Sequence, residues 1–170
     1  ALAEKEYGLG RGHRQVVFIN LSVGVGAGIL ADGEIYGGVR GYAGEIGHMT
    51  FIPESGPLCS CGRQGCFEAI CGVRAVLERA KALIPEETFL KCGIPKDRLK
   101  LEELITSPLA NCPEAQQLIE ETGRFVGILV ANLVSLLNPG TIILGGELSA
   151  LGDRLLKAVK AEVETRVLDE

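Results

Sequence analysis

Three cysteines and one histidine stand close enough in the sequence to bind one metal ion. Cys59, Cys61 and Cys66 follow a C-x-C-x4-C spacing within CSCGRQGC, and His48 lies eleven residues before Cys59. Zinc in structural sites takes four ligands from cysteine and histidine and leaves no open position for a catalytic water. The spacing therefore predicts a closed, structural zinc site. A disulfide, or free thiols beside a hydrogen-bonded His48, are the alternatives that this spacing alone leaves open.

The other three cysteines, at positions 71, 92 and 112, are scattered along the chain. A chain of 170 residues can build one domain with an ample apolar core, so it has no need of disulfides for stability. Clustered and scattered cysteines together favour a metal site with additional buried thiols in a cytoplasmic protein over a disulfide framework.

Two glutamates flank the predicted metal ligands. Glu45 precedes His48 in GEIGHM, and Glu68 follows Cys66. Carboxylates accept hydrogen bonds from paired hydroxyl groups, which is how a sugar presents itself. A loop held by zinc could place Glu45, His48 and Glu68 around one sugar ring. The alternative is that both glutamates are solvated or cap nearby backbone, and the residues alone do not decide between the two.

Glycine-rich turns form a second group of candidate binding residues. LSVGVGAG contains Ser22, Gly24, Gly26 and Gly28, and glycines in such a turn allow a phosphate to approach backbone N–H groups. Glycines are also common in hairpins, so this spacing is weak support on its own. The strand TIILGG ends in Gly145 and Gly146, which could expose backbone to a ligand in the same way.

The elements that must position these residues follow from periodicity and from breaker residues. Short β-rich runs with the hairpin signal Asp32-Gly33 predict two or three antiparallel strands between positions 16 and 36. The stretch 37–65 is predicted to be irregular. The predicted helices cover 1–7, 67–83, a short piece at 101–105, 113–138 and 151–168, with one more strand at 141–146. This order predicts a mixed α/β domain.

Composition and charge exclude several classes of function. Apolar residues make up 46% of the chain and charged residues 23%, which is typical of a globular domain. The net charge of −5 gives no electrostatic footprint for nucleic acid. The apolar run FVGILVANLVSLL is too short and too polar to span a bilayer. The chain starts within a helical pattern, without methionine or a signal peptide, which predicts a piece of a longer protein.

Three quoted stretches resemble the ROK family of repressors, uncharacterised reading frames and sugar kinases. They are GAGILADGEIYGGVRGYAGEIGHM, GPLCSCGRQGCFEA and NPGTIILGGELS, and the resemblance that they carry extends over most of the chain. The resemblance implies a zinc ion held by His48, Cys59, Cys61 and Cys66. It also implies the actin-like ATPase fold (ribonuclease H-like), shared with hexokinase and the heat-shock ATPases. Residues 1–170 would be its C-terminal lobe, with a zinc- and sugar-binding loop inserted at 37–68.

The resemblance also assigns roles to individual residues. It implies that Glu45, His48 and Glu68 contact the sugar, and that the turn and Gly145-Gly146 lie on the nucleotide side. ROK kinases usually read GTGxGGG at the turn, whereas this chain has Ser22-Val23-Gly24, and Glu147 stands where kinases more often have a third glycine. Both departures resemble the repressor branch. The segment that carries the catalytic aspartate of ROK kinases is not within this sequence.

Three hypotheses follow. The first is the sugar-sensing effector domain of a ROK transcriptional regulator of the xylose or N-acetylglucosamine type, binding DNA only through a segment outside this chain. The second is the C-terminal lobe of an ATP-dependent sugar kinase resembling glucokinase, which would add ATP and Mg²⁺ as cofactors. The third is a zinc-stabilised scaffold that binds no sugar. The first two imply a cytoplasmic homodimer or homotetramer without membrane contact, active in carbohydrate metabolism.

Overall fold

The computed structural model describes residues 2–168. Ala1, the first residue of the predicted helix 1–7, and the last two residues, 169–170, lie outside the described residues. The strands are β1 (Val16–Leu21), β2 (Val25–Ala31), β3 (Glu34–Ile35) and β4 (Thr141–Gly145). The α-helices are α1 (Leu2–Tyr7), α2 (Phe67–Cys71), α3 (Val73–Leu83), α4 (Glu86–Cys92), α5 (Glu103–Thr106), α6 (Pro113–Leu137) and α7 (Gly152–Glu164).

The four strands form one mixed sheet in the order β3-β2-β1-β4. β1 pairs antiparallel with β2 and parallel with β4, and β2 pairs antiparallel with β3. The predicted antiparallel strands between 16 and 36 are confirmed. Asp32 and Gly33 both have positive φ, 53° and 83°, as a two-residue hairpin turn of the favoured type requires. The parallel pairing of β4 places its glycine-rich end beside the end of β1.

The helices agree with the predictions except at their boundaries and at α4. The predicted helix 67–83 is divided into α2 and α3 because Gly72 adopts an extended conformation, with ψ 157°. α6 ends at Leu137, and its C-cap residue Asn138 adopts the left-handed conformation with φ 43°, one residue before the proline that predicted the end of the helix. α7 ends at Glu164 rather than at 168. α4 was not predicted, because its seven residues are too few for a clear apolar period.

One main apolar core lies between the sheet and the helices. Its fully buried side chains include Ile19 and Leu21 from β1, and Leu118 and Leu129 from α6. The segment between β3 and α2 crosses one end of this core and contains only a short 3-10 turn, as the irregular prediction for 37–65 requires. Within residues 2–168 there is no helix both long enough and apolar enough to cross a membrane.

Candidate functional site

The GEIGH segment lies directly on the backbone of β2. The N–H of Ala27 donates to the carbonyl oxygen of Gly44 at 2.7 Å. Gly44 has φ +92°, and a Cβ at this position would lie 2.0 Å from the carbonyl oxygen of Ala27. The 3-10 turn Ile46–His48 follows, with the Ile46 side chain buried in the core. This close contact fixes the positions from which Glu45 and His48 extend.

The cysteine loop is closed by its own backbone and fastened to the GEIGH segment. Within the loop, the N–H of Cys59 donates to the carbonyl of Arg63 at 2.8 Å, and Gly62 donates back to Cys59 at 2.9 Å. The N–H of Phe67 donates to the carbonyl of Met49 at 2.9 Å, which ties the start of α2 to the residue after His48. Cysteines eleven or more residues from His48 in sequence therefore come to lie beside it.

His48, Cys59, Cys61 and Cys66 form one cluster. Each offers a ligand atom, and all four ligand atoms lie within 4.8 Å of one another. The Sγ atom of Cys59 is 3.6 Å from Nδ1 of His48, and Sγ of Cys61 is 3.7 Å from Sγ of Cys66. All three cysteines are free thiols. The disulfide alternative is therefore wrong, and the donor set is the one that a structural zinc ion takes.

The three thiols differ in their environments. Cys59 and Cys66 are buried, whereas Cys61 is exposed. A hydrogen bond from the Arg63 side chain lowers the pKa of Cys61 to about 6, while burial raises the pKa of Cys66 to about 12. Without a metal, the lowered pKa favours the thiolate form of Cys61, and the raised pKa favours the thiol form of Cys66. A metal ion that binds all four ligands must displace the Cys66 proton.

Glu45 and His48 line one shallow cleft. Its volume is about 500 Å³, and its other lining residues are Tyr42, Met49 and Arg63. Tyr42 is largely exposed and His48 is half-buried. The cleft thus combines a carboxylate, an imidazole, a phenol and a guanidinium, each able to exchange hydrogen bonds with a polyhydroxylated ligand. Tyr42, Met49 and Arg63 were missed from the sequence, although Arg63 lies within the cysteine motif itself.

Glu68 lies in a neighbouring cleft of about 560 Å³, which also includes Val23, Ser60 and Arg74. Both carboxylate oxygens of Glu68 are hydrogen bonded. Oε1 accepts from the Ser60 hydroxyl at 3.2 Å, and Oε2 accepts from the N–H of Val25 at 3.1 Å. Glu68 therefore connects the cysteine loop to the start of β2. Cys59, whose sulfur contacts His48, lines this cleft too, so the two clefts adjoin the same cluster.

The turn Ser22-Val23-Gly24 joins β1 to β2 beside the second cleft. The Ser22 hydroxyl donates to Oδ1 of Asn20 at 3.3 Å and accepts from the N–H of Glu147 at 3.2 Å. The Val23 side chain is 63% exposed, so an apolar group stands at the tip of the turn. The hydroxyl expected to meet a phosphate is thus held by the chain itself.

The predicted nucleotide-side glycines are distributed between that turn and two strands. Gly145 is the last residue of β4 and pairs with Asn20, and Gly146 follows it, so both lie close to Ser22. Gly26 and Gly28 are inside β2, opposite Asn20 and Phe18. Of the predicted phosphate-loop glycines, only Gly24 is in the turn. The structure therefore brings Ser22, Gly24, Gly145 and Gly146 to one end of the sheet.

Comparison with known proteins gives a consistent set of relatives. A sequence model of the ROK family matches residues 1–170. The glucokinase of Halalkalibacterium halodurans is 36% identical over 171 residues, covering 99% of this chain and 52% of that protein. The xylose repressor of Bacillus subtilis is 29% identical over 170 residues, covering 100% of this chain and 41% of the repressor.

A solved structure agrees with these relatives. It is a ROK family glucokinase from Streptomyces griseus in complex with glucose and AMPPNP, which matches with a TM-score of 0.87 at 29% identity. The match covers 98% of this chain and 55% of that one. The chain spans about half the length of the curated relatives it matches.

Proposed function

Because this chain belongs to the ROK family, we propose that it is the sugar-sensing part of a transcriptional regulator. The observation that carries the proposal is the turn between β1 and β2. The Ser22 hydroxyl is hydrogen bonded to Asn20 and Glu147, and the exposed Val23 side chain occupies the tip of the turn. An apolar side chain and an engaged hydroxyl give a phosphate few donors, whereas the sugar side keeps its polar groups.

The sugar would bind to Glu45, His48 and Glu68. Glu45 and His48 share one cleft, and Glu68 lines the neighbouring cleft together with Cys59. A carboxylate has about four lone-pair sites, so Glu68 can accept from sugar hydroxyls while it keeps its bonds to Ser60 and Val25. His48 directs Nδ1 toward Cys59, which leaves its second ring nitrogen for the sugar.

A zinc ion would be held by His48, Cys59, Cys61 and Cys66. Ligand sulfurs about 2.3 Å from a tetrahedral zinc lie roughly 3.8 Å from each other. The distance of 3.7 Å between the Cys61 and Cys66 sulfurs supports this fit. Bound zinc supplies structural cross-linking here, because four protein ligands leave no position for a reacting water. The chain's own residues do the rest: the cysteine loop orients His48 and supports Glu68.

The proposal that zinc binds to this cluster is tested with Cys61→Ser as the variant and Cys92→Ser as the matched control. Cys92 is partly buried and lies outside the cluster. We expect about one equivalent of zinc by elemental analysis in the unmodified protein and in Cys92→Ser. Cys61→Ser should lose most of the zinc, and its Tm and its sugar affinity should fall together. Unchanged sugar affinity in a zinc-free variant would contradict the coupling.

Regulation would follow from a population shift. The fold would be the C-terminal lobe of an actin-like ATPase, and sugar binding between two lobes favours the closed arrangement. If that arrangement holds DNA less well, sugar and operator binding are coupled through one free energy and each weakens the other. The DNA would be bound by a segment outside these 170 residues, in a cytoplasmic homodimer or homotetramer.

The second candidate is the C-terminal lobe of an ATP-dependent sugar kinase. The observations that favour it are the 36% identity to a glucokinase and the match to a glucokinase structure with glucose and AMPPNP. In this case Gly24, Gly145 and Gly146 would face the nucleotide, ATP and Mg²⁺ would be cosubstrate and cofactor, and a base outside the chain would accept the sugar proton.

One set of measurements on the full-length protein separates the two. ADP release is followed with ATP, Mg²⁺ and each of D-glucose, D-xylose and N-acetyl-D-glucosamine, and sugar binding is measured by calorimetry. The sensing function predicts binding of one sugar without ADP release, and an operator affinity that falls as this sugar is added. Turnover with any of the sugars would favour the kinase instead. Absence of binding across the panel would leave the zinc-stabilised scaffold.

A further inference from the structure

We infer that Ser60 is a positioning residue for sugar binding, acting through Glu68. The inference rests on the proposed function, because it takes Glu68 as a sugar contact. Ser60 lies between two of the clustered cysteines, and its hydroxyl donates to Oε1 of Glu68 at 3.2 Å. No role for this serine could be inferred from the sequence, since Ser60 occupies the variable position of a C-x-C motif.

The Glu68 carboxylate is oriented by two donors from different parts of the fold. Ser60 donates to Oε1 from the cysteine loop, and the N–H of Val25 donates to Oε2 from the first residue of β2. Each oxygen keeps a lone pair free after accepting one bond. The plane of the carboxylate, and with it the direction of the free lone pairs, is therefore fixed before a ligand arrives.

Loss of the Ser60 hydroxyl would release one side of this carboxylate. The Val25 N–H would then be the one remaining donor in the described contacts of the carboxylate, and the whole carboxylate, both oxygens together, could turn about the side chain's terminal torsion, which is broad. Arg74 lines the same cleft and offers a guanidinium as an alternative partner. A ligand would then have to reorder Glu68 on binding, so affinity would fall even though Glu68 itself is present.

Ser60 also couples Glu68 to the metal cluster. Its hydroxyl lies 3.9 Å from the Cys59 sulfur, a ligand atom of the cluster, and its backbone is part of the closed cysteine loop. The loop therefore sets where the hydroxyl can be. A metal ion bound to the cysteine cluster would therefore influence the orientation of the Glu68 carboxylate through Ser60, although Glu68 is not one of its ligands.

The test compares Ser60→Ala, Ser60→Thr and Ser135→Ala in the full-length protein. The probe is whichever of D-glucose, D-xylose and N-acetyl-D-glucosamine binds most tightly by calorimetry. We expect Ser60→Ala to lose up to about tenfold in affinity, the cost to a ligand of ordering one mobile side chain when it binds. Ser60→Thr keeps a hydroxyl at an exposed position and should restore most of it. Ser135→Ala, an exposed serine on α6, should change nothing.

A double-mutant cycle with Glu68→Ala, which removes the acceptor of the Ser60 hydrogen bond, separates positioning from general disturbance of the loop. If Ser60 acts through Glu68, Ser60→Ala should cost little further affinity in the Glu68→Ala background. Zinc content and Tm should be nearly unchanged in Ser60→Ala. A full tenfold loss in the Glu68→Ala background, or an equal loss in Ser60→Thr, would overturn the inference.

The same cycle distinguishes failure of this inference from failure of the proposed function. If Glu68→Ala binds sugar as well as the unmodified protein does, Glu68 is not a sugar contact and the site assignment fails. If Glu68→Ala loses affinity and Ser60→Ala does not, the site assignment stands and Ser60 has no positioning role. If none of the three sugars binds the unmodified protein, both proposals fall together.

Discussion

Substitution of Gly44 by alanine should destabilise the protein far more than the same change at Gly33. Both glycines have positive φ, 92° at Gly44 and 83° at Gly33, so both variants carry a backbone cost of about 1–2 kcal/mol. They differ in their surroundings. A Cβ at Gly44 would lie 2.0 Å from the carbonyl oxygen of Ala27, whereas one at Gly33 meets no atom of the described chain within 4 Å.

The extra cost at Gly44 can be derived from the contacts that hold the GEIGH segment on β2. The Ala27 carbonyl belongs to a paired strand and cannot move far enough to relieve this clash, so the GEIGH segment must move away from β2. That movement breaks the 2.7 Å hydrogen bond from Ala27 to Gly44, worth about 1 kcal/mol. It also exposes part of the buried Ile46 side chain, whose full burial contributes about 2 kcal/mol. We therefore expect Gly44→Ala to cost about 2–3 kcal/mol more than Gly33→Ala.

The assay is urea unfolding followed by circular dichroism, with sugar affinity measured in parallel on the same preparations. Gly44→Ala should also weaken sugar binding, because Glu45 and His48 extend from the displaced segment. Gly33→Ala should bind sugar normally, since its turn is at the far end of β2. Equal unfolding free energies for the two variants would refute the reasoning, because only the contact with Ala27 distinguishes them.

Two further predictions concern the thiols and the core. After treatment with a chelator, which would remove a bound zinc ion, iodoacetamide at pH 7 should modify Cys61 first and Cys71 last, as followed by peptide mass spectrometry. The reason is that only the thiolate reacts: Arg63 lowers the pKa of Cys61 to about 6, whereas burial raises the pKa of Cys71 to about 12. Rapid labelling of Cys71 would contradict this prediction. Leu129→Ala should lower the free energy of unfolding by about 3 kcal/mol, because Leu129 is fully buried on α6. Leu136→Ala, on the exposed face of the same helix, should lower it by less than about 0.5 kcal/mol. Similar losses in the two variants would show that α6 packs differently.

The elements that sequence patterns predicted well are those with a strong local signal. The hairpin between β2 and β3 follows from Asp32-Gly33, and α6 follows from its long apolar period and the proline after its end. The cysteine cluster was predictable for a similar reason, since three of its ligands lie within eight residues. In these cases the residues that decide the structure are neighbours in the chain.

The features that could not be predicted depend on contacts between distant residues. Glu68 meets Val25, 43 positions away, and Ser22 meets Glu147, 125 positions away. Nothing local distinguishes a glutamate that is held by a backbone N–H of another strand from one that is solvated. The same holds for the two clefts, because the residues that line each of them come from segments that are separated in the sequence.

These distant contacts also bear on the choice between sensor and kinase. Both candidate functions need the proposed sugar side, where the chain has two carboxylates, an imidazole and the donors that orient Glu68. They differ on the proposed nucleotide side, where Ser22 and Val23 depart from the residues that the resemblance to ROK kinases leads us to expect. Glu68 contacts Val25, the residue directly after that turn. A sugar that binds Glu68 would therefore change the contact between Glu68 and the residue after the turn, even if no phosphate binds there. Such a coupling between the sugar side and the turn is compatible with a sensor as well as with a kinase.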